Sequence, residues 1–141
     1  MKSAKLSIKI ITLFPKFVEN FIEAFGVIKK AVKNNLLDIQ SINLREFGIG
    51  ERQVVDDRPH GGGVGMVLRP DVLHKAIQRG SAFAKATAVK TGKGLRAKVI
   101  LLTPQGKKFN QEVAKRLSKA NNLVVVCGRY EGFDERIIQF V

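Results

Sequence analysis

The sequence predicts an α/β fold in which a parallel sheet is flanked by helices, and two stretches near its carboxyl end carry that prediction. VILLTPQG (Val99 to Gly106) and LVVVCGRYEG (Leu123 to Gly132) each join a short apolar run to a turn-forming cluster, which is typical of a buried parallel strand. Between them, Phe109, Val113 and Leu117 recur in steps of four and predict the helix that connects two parallel strands. Both loops should therefore emerge at one edge of the sheet, where open α/β folds bind ligands.

The rest of the chain supplies further elements of the same fold. Pro15 closes the first apolar run, Gly26 ends a short amphipathic helix, and Pro70 and Asp71 suit the first turn of another helix. The predicted strands are 6–14 and 37–44, and the predicted helices are 17–25, 27–37, 68–78 and one that begins at Asp134.

Two segments lack the periodicity of helices or strands. Arg45 to Gly65 holds six glycines, and a structureless loop of this length is usually functional or disordered. Arg79 to Lys98 combines small residues with several lysines and arginines, and we predict a solvated basic linker there. Such a linker is either an inserted surface loop or a segment that grips phosphates.

Length and charge limit the class of protein. The chain has 141 residues, which fits one domain, and a formal charge of +13, which indicates a polyanionic partner such as nucleic acid. A membrane is the weaker alternative, because no segment joins a polybasic face to an apolar one and the first apolar run is too short to span. We therefore expect a cytoplasmic protein, in which the lone Cys127 packs in the interior.

The cluster CGRYEGFDER follows the last predicted strand. Its Glu131 could bind an ammonium group or a metal ion, or act as a base, and its Tyr130 offers a flat amphipathic ring. The same residues also suit an ordinary turn between a strand and a helix.

The second cluster, DDRPHGGGVGM, is rich in glycine. It could present backbone N–H groups to a phosphate or a base, or simply be flexible, and it matches neither common nucleotide-binding fingerprint. His60 and His74 lack partners at metal-ligand spacing, so a zinc site is not expected. The residues alone predict a ligand site at a strand tip and a polyanionic partner, and leave the reaction unnamed.

Five motifs in order give a more specific likeness. The chain resembles the bacterial tRNA (guanine-N1)-methyltransferase family of SPOUT-class enzymes, which methylate the guanine at position 37, just 3′ of the anticodon. The motifs are ITLFP (Ile11 to Pro15), AVKNNLL (Ala31 to Leu37), VDDRPHGGGVGM (Val55 to Met66), LTPQGKKFNQ (Leu102 to Gln111) and VVCGRYEGFDER (Val125 to Arg136).

The resemblance implies a parallel sheet with a trefoil knot, an exception to the rule that chains do not thread. It covers only the front part of the family's length. Residues 1 to 141 are thus expected to be an S-adenosylmethionine-binding domain that is incomplete at its carboxyl end, without the tRNA-binding domain that follows in the family. It also implies a homodimer with sites at the subunit interface, tRNA as substrate, and Mg²⁺ dependence.

The resemblance also implies roles for particular residues. Leu102, Thr103 and Pro104 match the first wall of the methyl-donor site, with Thr103 standing where many relatives have Ser. The second wall is matched by Gly128, Tyr130 and Glu131. Glu131 would help to place the donor's amino group or Mg²⁺. The loop that meets the target guanine is matched by Asp56, Gly61, Gly62, Gly63 and Gly65.

Guanine N1 must lose a proton before it attacks a methyl group, so the reaction needs a positioned base. In the family this base is an Asp that would lie beyond Val141, so no catalytic residue is expected in this chain, and the piece alone should be inactive. The alternatives are a non-catalytic RNA-binding α/β module and a domain that binds nucleotide phosphate through GGGVG.

Overall fold

A four-stranded parallel sheet organises the chain. The computed structural model describes residues 5–91 and 97–141. The strand order is β2-β1-β6-β5, and a second sheet pairs β3 with β4 in antiparallel fashion. The strands are β1 (Leu6–Thr12), β2 (Leu37–Asn43), β3 (Asp56–Asp57), β4 (Val67–Leu68), β5 (Lys98–Leu102) and β6 (Asn122–Cys127).

Helices cover the sheet and connect its strands. They are α1 (Pro15–Ala24), α2 (Gly26–Lys33), α3 (Pro70–Thr91) and α4 (Gln111–Leu117), with 3₁₀ turns at Leu44–Phe47 and Glu135–Phe140. The predicted α/β class and parallel sheet are confirmed. Within the described part of the chain, no helix is long and apolar enough to span a membrane.

The parallel register brings the ends of β5 and β6 together. Leu102 pairs with Cys127, the last residues of the two strands. The segments that follow, from Thr103 and from Gly128, therefore leave the sheet side by side at its carboxyl edge, as the sequence predicted.

The core lies between this sheet and α3. Ile11, Val124 and Val126 are fully buried on the sheet, and Leu73 and Ala76 are fully buried on the helix. Burial of apolar surface at about 25 cal/mol per Å² is the main force that holds α3 against the strands.

Gly80 lets α3 approach the sheet closely. A β-carbon at this position would lie 3.2 Å from Val124 Cγ1 and 3.5 Å from Ile42 Cδ1. The helix therefore needs its smallest residue where it crosses the central strands.

The predicted basic linker at Arg79 to Lys98 is wrong over most of its length. The helix α3 continues to Thr91, and Lys98 is already the first residue of β5. Alanine alternates through residues 82–88, and alanine has the highest helix propensity, so this segment extends the helix although it lacks a large apolar face. Residues 92–96 lie outside the described part of the chain.

The crossover helix also begins later than its apolar spacing suggested. Phe109 precedes α4 and is 70 % exposed. Asn110 is the N-cap, and its Oδ1 accepts a hydrogen bond from the Val113 N–H at 2.9 Å. The helix start is thus fixed by a polar cap.

Candidate functional site at the carboxyl edge of the sheet

The segments that follow β5 and β6 enclose one cavity of about 180 Å³. Its lining is mostly apolar, with two carboxylates, one hydroxyl and one amide among the polar groups. The cavity is lined by Leu101, Leu102, Thr103, Pro104, Gln105, Glu131, Gly132, Phe133, Glu135, Ile137 and Ile138. The two strand ends thus build one site.

Four of the six residues predicted for the two walls line this cavity. They are Leu102, Thr103, Pro104 and Glu131. The other two lie outside its lining. Tyr130 is 46 % exposed and has a positive φ of 60°. Pro104 and Glu131 therefore line the same cavity, whereas Tyr130 does not line it.

Gly128 supports the cavity from behind. A β-carbon on Gly128 would lie 3.1 Å from Phe133 Cζ and 3.5 Å from the Leu102 carbonyl oxygen. Because both neighbours line the cavity, a side chain at position 128 would push apart the two walls. Gly128 thus keeps the two walls close together through packing, and the contact with a ligand that the resemblance implied stays a prediction.

The 3₁₀ turn Glu135–Phe140 supplies lining residues that sequence reasoning missed. Asp134 caps this turn, because its Oδ1 accepts hydrogen bonds from the Arg136 N–H (3.0 Å) and Nε (2.9 Å). The turn directs Ile137 and Ile138 into the lining. The acidic residues Asp134 and Glu135 predicted the first turn of a helix there, but no pattern indicated which cavity the two isoleucines would line.

The strand β4 joins the second wall to the glycine-rich loop. The Glu131 N–H donates to the Met66 carbonyl oxygen (3.0 Å), and the Leu68 N–H donates to the Gly132 carbonyl oxygen (2.9 Å). The Asp134 N–H then donates to the Leu68 carbonyl oxygen (3.2 Å). Residues 66–68 and 131–134 therefore run together, and the loop that precedes Met66 is fastened to the cavity wall.

Gly65 contacts the Glu131 side chain directly. A β-carbon at Gly65 would lie 2.5 Å from Glu131 Cγ and 3.2 Å from its Oε1, and the φ of Gly65 is +89°. Only glycine satisfies both conditions. The resemblance assigned Gly65 to the guanine loop and Glu131 to the methyl-donor wall, and the fold brings these two residues into contact.

The other residues predicted for the guanine loop precede Gly65 in the chain. Gly61, Gly62 and Gly63 all have positive φ, at 89°, 95° and 133°, and are exposed. Asp56 lies on β3, paired with Leu68. The loop thus leaves the small sheet at Asp57 and returns to it through Gly65.

Two arginines that are paired with carboxylates flank the loop. Arg69 binds Asp71 and Asp57, and Arg136 Nη2 lies 2.6 Å from Asp134 Oδ2. The hydrogen bond from Arg69 lowers the pKa of Asp71, and the one from Arg136 lowers the pKa of Asp134. These carboxylates are therefore ionised at neutral pH and hold their arginines in place.

The donor set for a metal ion is sparse. Over the described residues there is no group of three or more His, Cys, Asp or Glu side chains that could hold a metal. A Mg²⁺ ion usually keeps several waters and takes one or two carboxylates from the protein. Two carboxylates line the cavity, those of Glu131 and Glu135, and Glu131 could serve a Mg²⁺ ion in that mode, whereas the two together do not form a cage.

The cavity can hold part of a small molecule with an apolar ring and a positive charge. Leu102, Pro104 and Phe133 offer apolar surface, and the exposed Glu131 carboxylate offers an anionic partner. Ligand sites usually measure about 300 to 1,000 Å³. At about 180 Å³, the cavity is smaller than such a site and has room for only part of a ligand of that size.

Fold and cavity together define a class: a parallel α/β domain with a candidate ligand cavity at the carboxyl edge of its sheet, joined by hydrogen bonds to a glycine-rich loop. Comparison with known proteins gives the family. A family model described as tRNA (Guanine-1)-methyltransferase TrmD matches residues 6–141, and the chain belongs to this family.

Individual relatives agree. The chain is 44 % identical over 137 residues to a tRNA (guanine-N(1)-)-methyltransferase of Fervidobacterium nodosum, covering 96 % of this chain and 51 % of that protein. It is 48 % identical over 132 residues to one of Glaesserella parasuis, covering 94 % and 49 %. The chain spans about half the length of these curated relatives.

A solved structure supports the fold. The crystal structure of tRNA (m1G37) methyltransferase from Aquifex aeolicus superposes with a TM-score of 0.75 at 34 % identity. The match covers 97 % of this chain and 57 % of that chain. The arrangement of strands and helices described above is therefore the one that this family uses.

Proposed function

We propose that the whole protein transfers a methyl group from S-adenosylmethionine to N1 of the guanine at position 37 of tRNA. Family membership supports the reaction. The observation that carries the proposal is the contact between Gly65 and Glu131, because it joins the two parts that the reaction must bring together. A methyl donor beside Glu131 would lie next to a base held by the loop.

In this proposal, S-adenosylmethionine supplies an electrophilic methyl group on a sulfonium centre. The apolar side chains of Leu102 and Pro104 would pack against its adenine, and the Glu131 carboxylate would pair with its ammonium group. Leu101 and Ile137 would exclude water from that wall. The remaining lining would come from chain beyond these 141 residues, since the cavity is smaller than a whole donor site needs.

The loop would receive the target base. Gly61 to Gly63 are exposed and carry no side chains, so that a guanine could approach the main chain closely. The base that removes the N1 proton is expected beyond Val141. The chain's role is thus to bind and orient both reactants.

The partners and the cofactor ion follow from the same proposal. The charge of +13 suits a tRNA partner, with contacts along the exposed Lys29, Lys30 and Lys33 of α2 and along the basic segment after Arg79. We propose a homodimer in the cytoplasm and a Mg²⁺ ion held by Glu131 with water. Residues 1–141 would form the incomplete methyl-donor domain, which carries the trefoil knot when whole, and a tRNA-binding domain would follow it.

A methylation assay on the full-length protein tests the function. Two tRNA transcripts that differ only at position 37, guanine or adenine, are incubated with labelled S-adenosylmethionine, and the product nucleoside is identified by mass spectrometry. We expect N1-methylguanine from the first transcript alone. Absence of product with intact tRNA binding would favour the RNA-binding module.

The isolated 141-residue chain is the second arm of that assay. Because it lacks the expected base and the rest of the donor site, it should transfer no methyl group. Robust turnover by the isolated chain would contradict this part of the proposal and would place the base among the residues described here.

A further inference from the structure

Arg69 ties the glycine-rich loop to the start of a helix. It lies between β4 and α3, and its Nε and Nη2 each donate to a different carboxylate oxygen of Asp71 at 3.1 Å. Its Nη1 donates to Asp57 Oδ2 at 2.9 Å. One guanidinium therefore holds a carboxylate from the first turn of α3 and one from β3.

Asp57 is the residue at which the chain enters the loop. Its Oδ1 accepts a hydrogen bond from the Arg58 N–H at 2.8 Å, while its Oδ2 accepts from Arg69. The carboxylate thus sets the direction of the backbone at Arg58. Arg69 holds that carboxylate from the opposite strand.

The mouth of the loop is otherwise closed by a short ladder. The strands β3 and β4 pair over two positions, Asp56 with Leu68 and Asp57 with Val67. The Arg69 N–H adds one bond to the Val55 carbonyl oxygen at 2.9 Å. The strand β4 is also held by residues 131–134, whereas β3, among the described residues, pairs only with β4 and over two positions, so the side chain of Arg69 adds a further tie that holds β3 at the mouth.

We propose that Arg69 is a positioning residue that acts through Asp57 to hold residues 58–65 in the arrangement that meets the RNA. This inference rests on the proposed function. In this inference, Arg69 contributes to the affinity for tRNA, whereas the cavity walls determine the affinity for the methyl donor.

Charge argues against a direct phosphate contact by Arg69. Three of its five N–H donors already bind carboxylates, and the two aspartates outweigh its single positive charge. Its side chain is 28 % exposed, compared with 60 % for that of Asp57. The guanidinium of Arg69 is therefore largely committed to its two carboxylates and is less accessible than Asp57.

A double-mutant cycle in the full-length protein separates the two roles. The variants are Arg69→Met, Asp57→Asn and the double substitution, and Arg116→Met, on the exposed face of α4, controls for the loss of one positive charge. Kinetics give KM for tRNA and kcat, and calorimetry gives the Kd for S-adenosylmethionine.

If Arg69 acts through Asp57, each single substitution raises the KM for tRNA by about two- to fivefold, the upper range for an exposed ion pair with good geometry. The double variant then equals the worse single variant, the Kd for the methyl donor stays within about twofold, and the salt dependence is unchanged. Additive effects would overturn the proposal. So would tighter tRNA binding by Asp57→Asn together with a smaller salt slope for Arg69→Met.

Hydrogen exchange provides a readout that does not depend on catalysis. Amides of residues 58–66 should exchange faster in Arg69→Met and Asp57→Asn than in the wild type or Arg116→Met. Unchanged exchange would overturn the positioning role even if the enzyme is active. If the wild type methylates no tRNA, the proposed function fails, and the exchange rates alone decide whether Arg69 holds the loop.

Discussion

Gly65 and Glu131 lie so close that a β-carbon on the glycine would meet Glu131 Cγ at 2.5 Å. They come from different parts of the chain, one from the loop before β4 and the other from the loop after β6. Backbone hydrogen bonds on both sides of Glu131 reinforce the contact. The glycine-rich loop and the second cavity wall are therefore packed together, and a substitution at either residue should affect the other.

Gly65→Ala is expected to displace the Glu131 carboxylate. The new methyl group cannot be accommodated at 2.5 Å, and the φ of +89° adds strain of about 1 to 3 kcal/mol. In the full-length protein, we expect the Kd for S-adenosylmethionine to rise by roughly tenfold, the cost of one lost charged contact. Calorimetry and urea unfolding measure the two effects.

Gly62→Ala is the matched control for this substitution. Its φ of +95° is nearly the same, but a β-carbon there meets nothing within 4 Å. Both variants should lose similar unfolding free energy from backbone strain, and Gly65→Ala alone should weaken donor binding. Equal donor binding by the two variants would mean that Glu131 does not depend on Gly65.

Gly80→Leu should destabilise the fold without touching the cavity. Its side chain would collide with Val124 and Ile42 under α3, and overpacking of this kind costs about 1 to 3 kcal/mol. Gly26→Ala, at the start of α2, has open space at its β-carbon and should be neutral or slightly stabilising. Urea unfolding measures both. A neutral Gly80→Leu would refute the close approach of α3 to the sheet.

Asp134 should contribute stability that is lost in acid. The hydrogen bond from Arg136 lowers the pKa of this buried carboxylate below its value in the unfolded chain, about 3.9. The folded state then binds fewer protons than the unfolded state, so the stabilisation is present above the unfolded pKa and is lost as pH falls through the folded pKa.

Asp134→Asn separates this charge from the cap. Asparagine can still accept the Arg136 N–H but does not titrate, so urea unfolding should show a shallower loss of stability below about pH 4. Asp134→Ala also removes the cap and should cost a further 1 kcal/mol or so. If the unfolding free energy of Asp134→Asn fell as steeply in acid as that of the wild type, the ion pair between Asp134 and Arg136 would be contradicted.

The Cys127 thiol should react slowly in the folded protein. Burial raises its pKa, so little thiolate forms at neutral pH. We expect alkylation at pH 7.5 to be at least tenfold slower than in urea, because the thiolate is the nucleophile. Mass spectrometry after iodoacetamide measures both rates, and equal rates would rule out the packed environment that the sequence predicted.

The order of strands and helices could be predicted because their signals are local. Apolar runs in β5 and β6, and Pro70 and Asp71 at the start of α3, each carry their own pattern. The end of α3 was missed because its alanines offer propensity without an apolar face, and Gly80 resembles a helix breaker unless its contact with Val124 is known. The length of α3 therefore depends on its tertiary packing.

The site was predicted in part for the same reason. That Pro104 and Glu131 approach each other follows from parallel strand ends, a general rule of the fold. Phe133 lines the cavity whereas Tyr130, with its positive φ of 60°, does not, and no spacing in the sequence encodes the backbone conformation of this turn. The contact of Gly65 with Glu131 joins segments that are far apart in the sequence, so no local pattern could predict it.

Hydrogen exchange on the full-length protein, with and without S-adenosylmethionine, tests most directly whether the two strand ends bind one ligand. The peptides to follow cover residues 101–106 and 129–134, since these hold the two walls of the cavity. We predict that saturating ligand slows exchange in both peptides together. Protection of one wall alone, or of neither, would contradict a shared site.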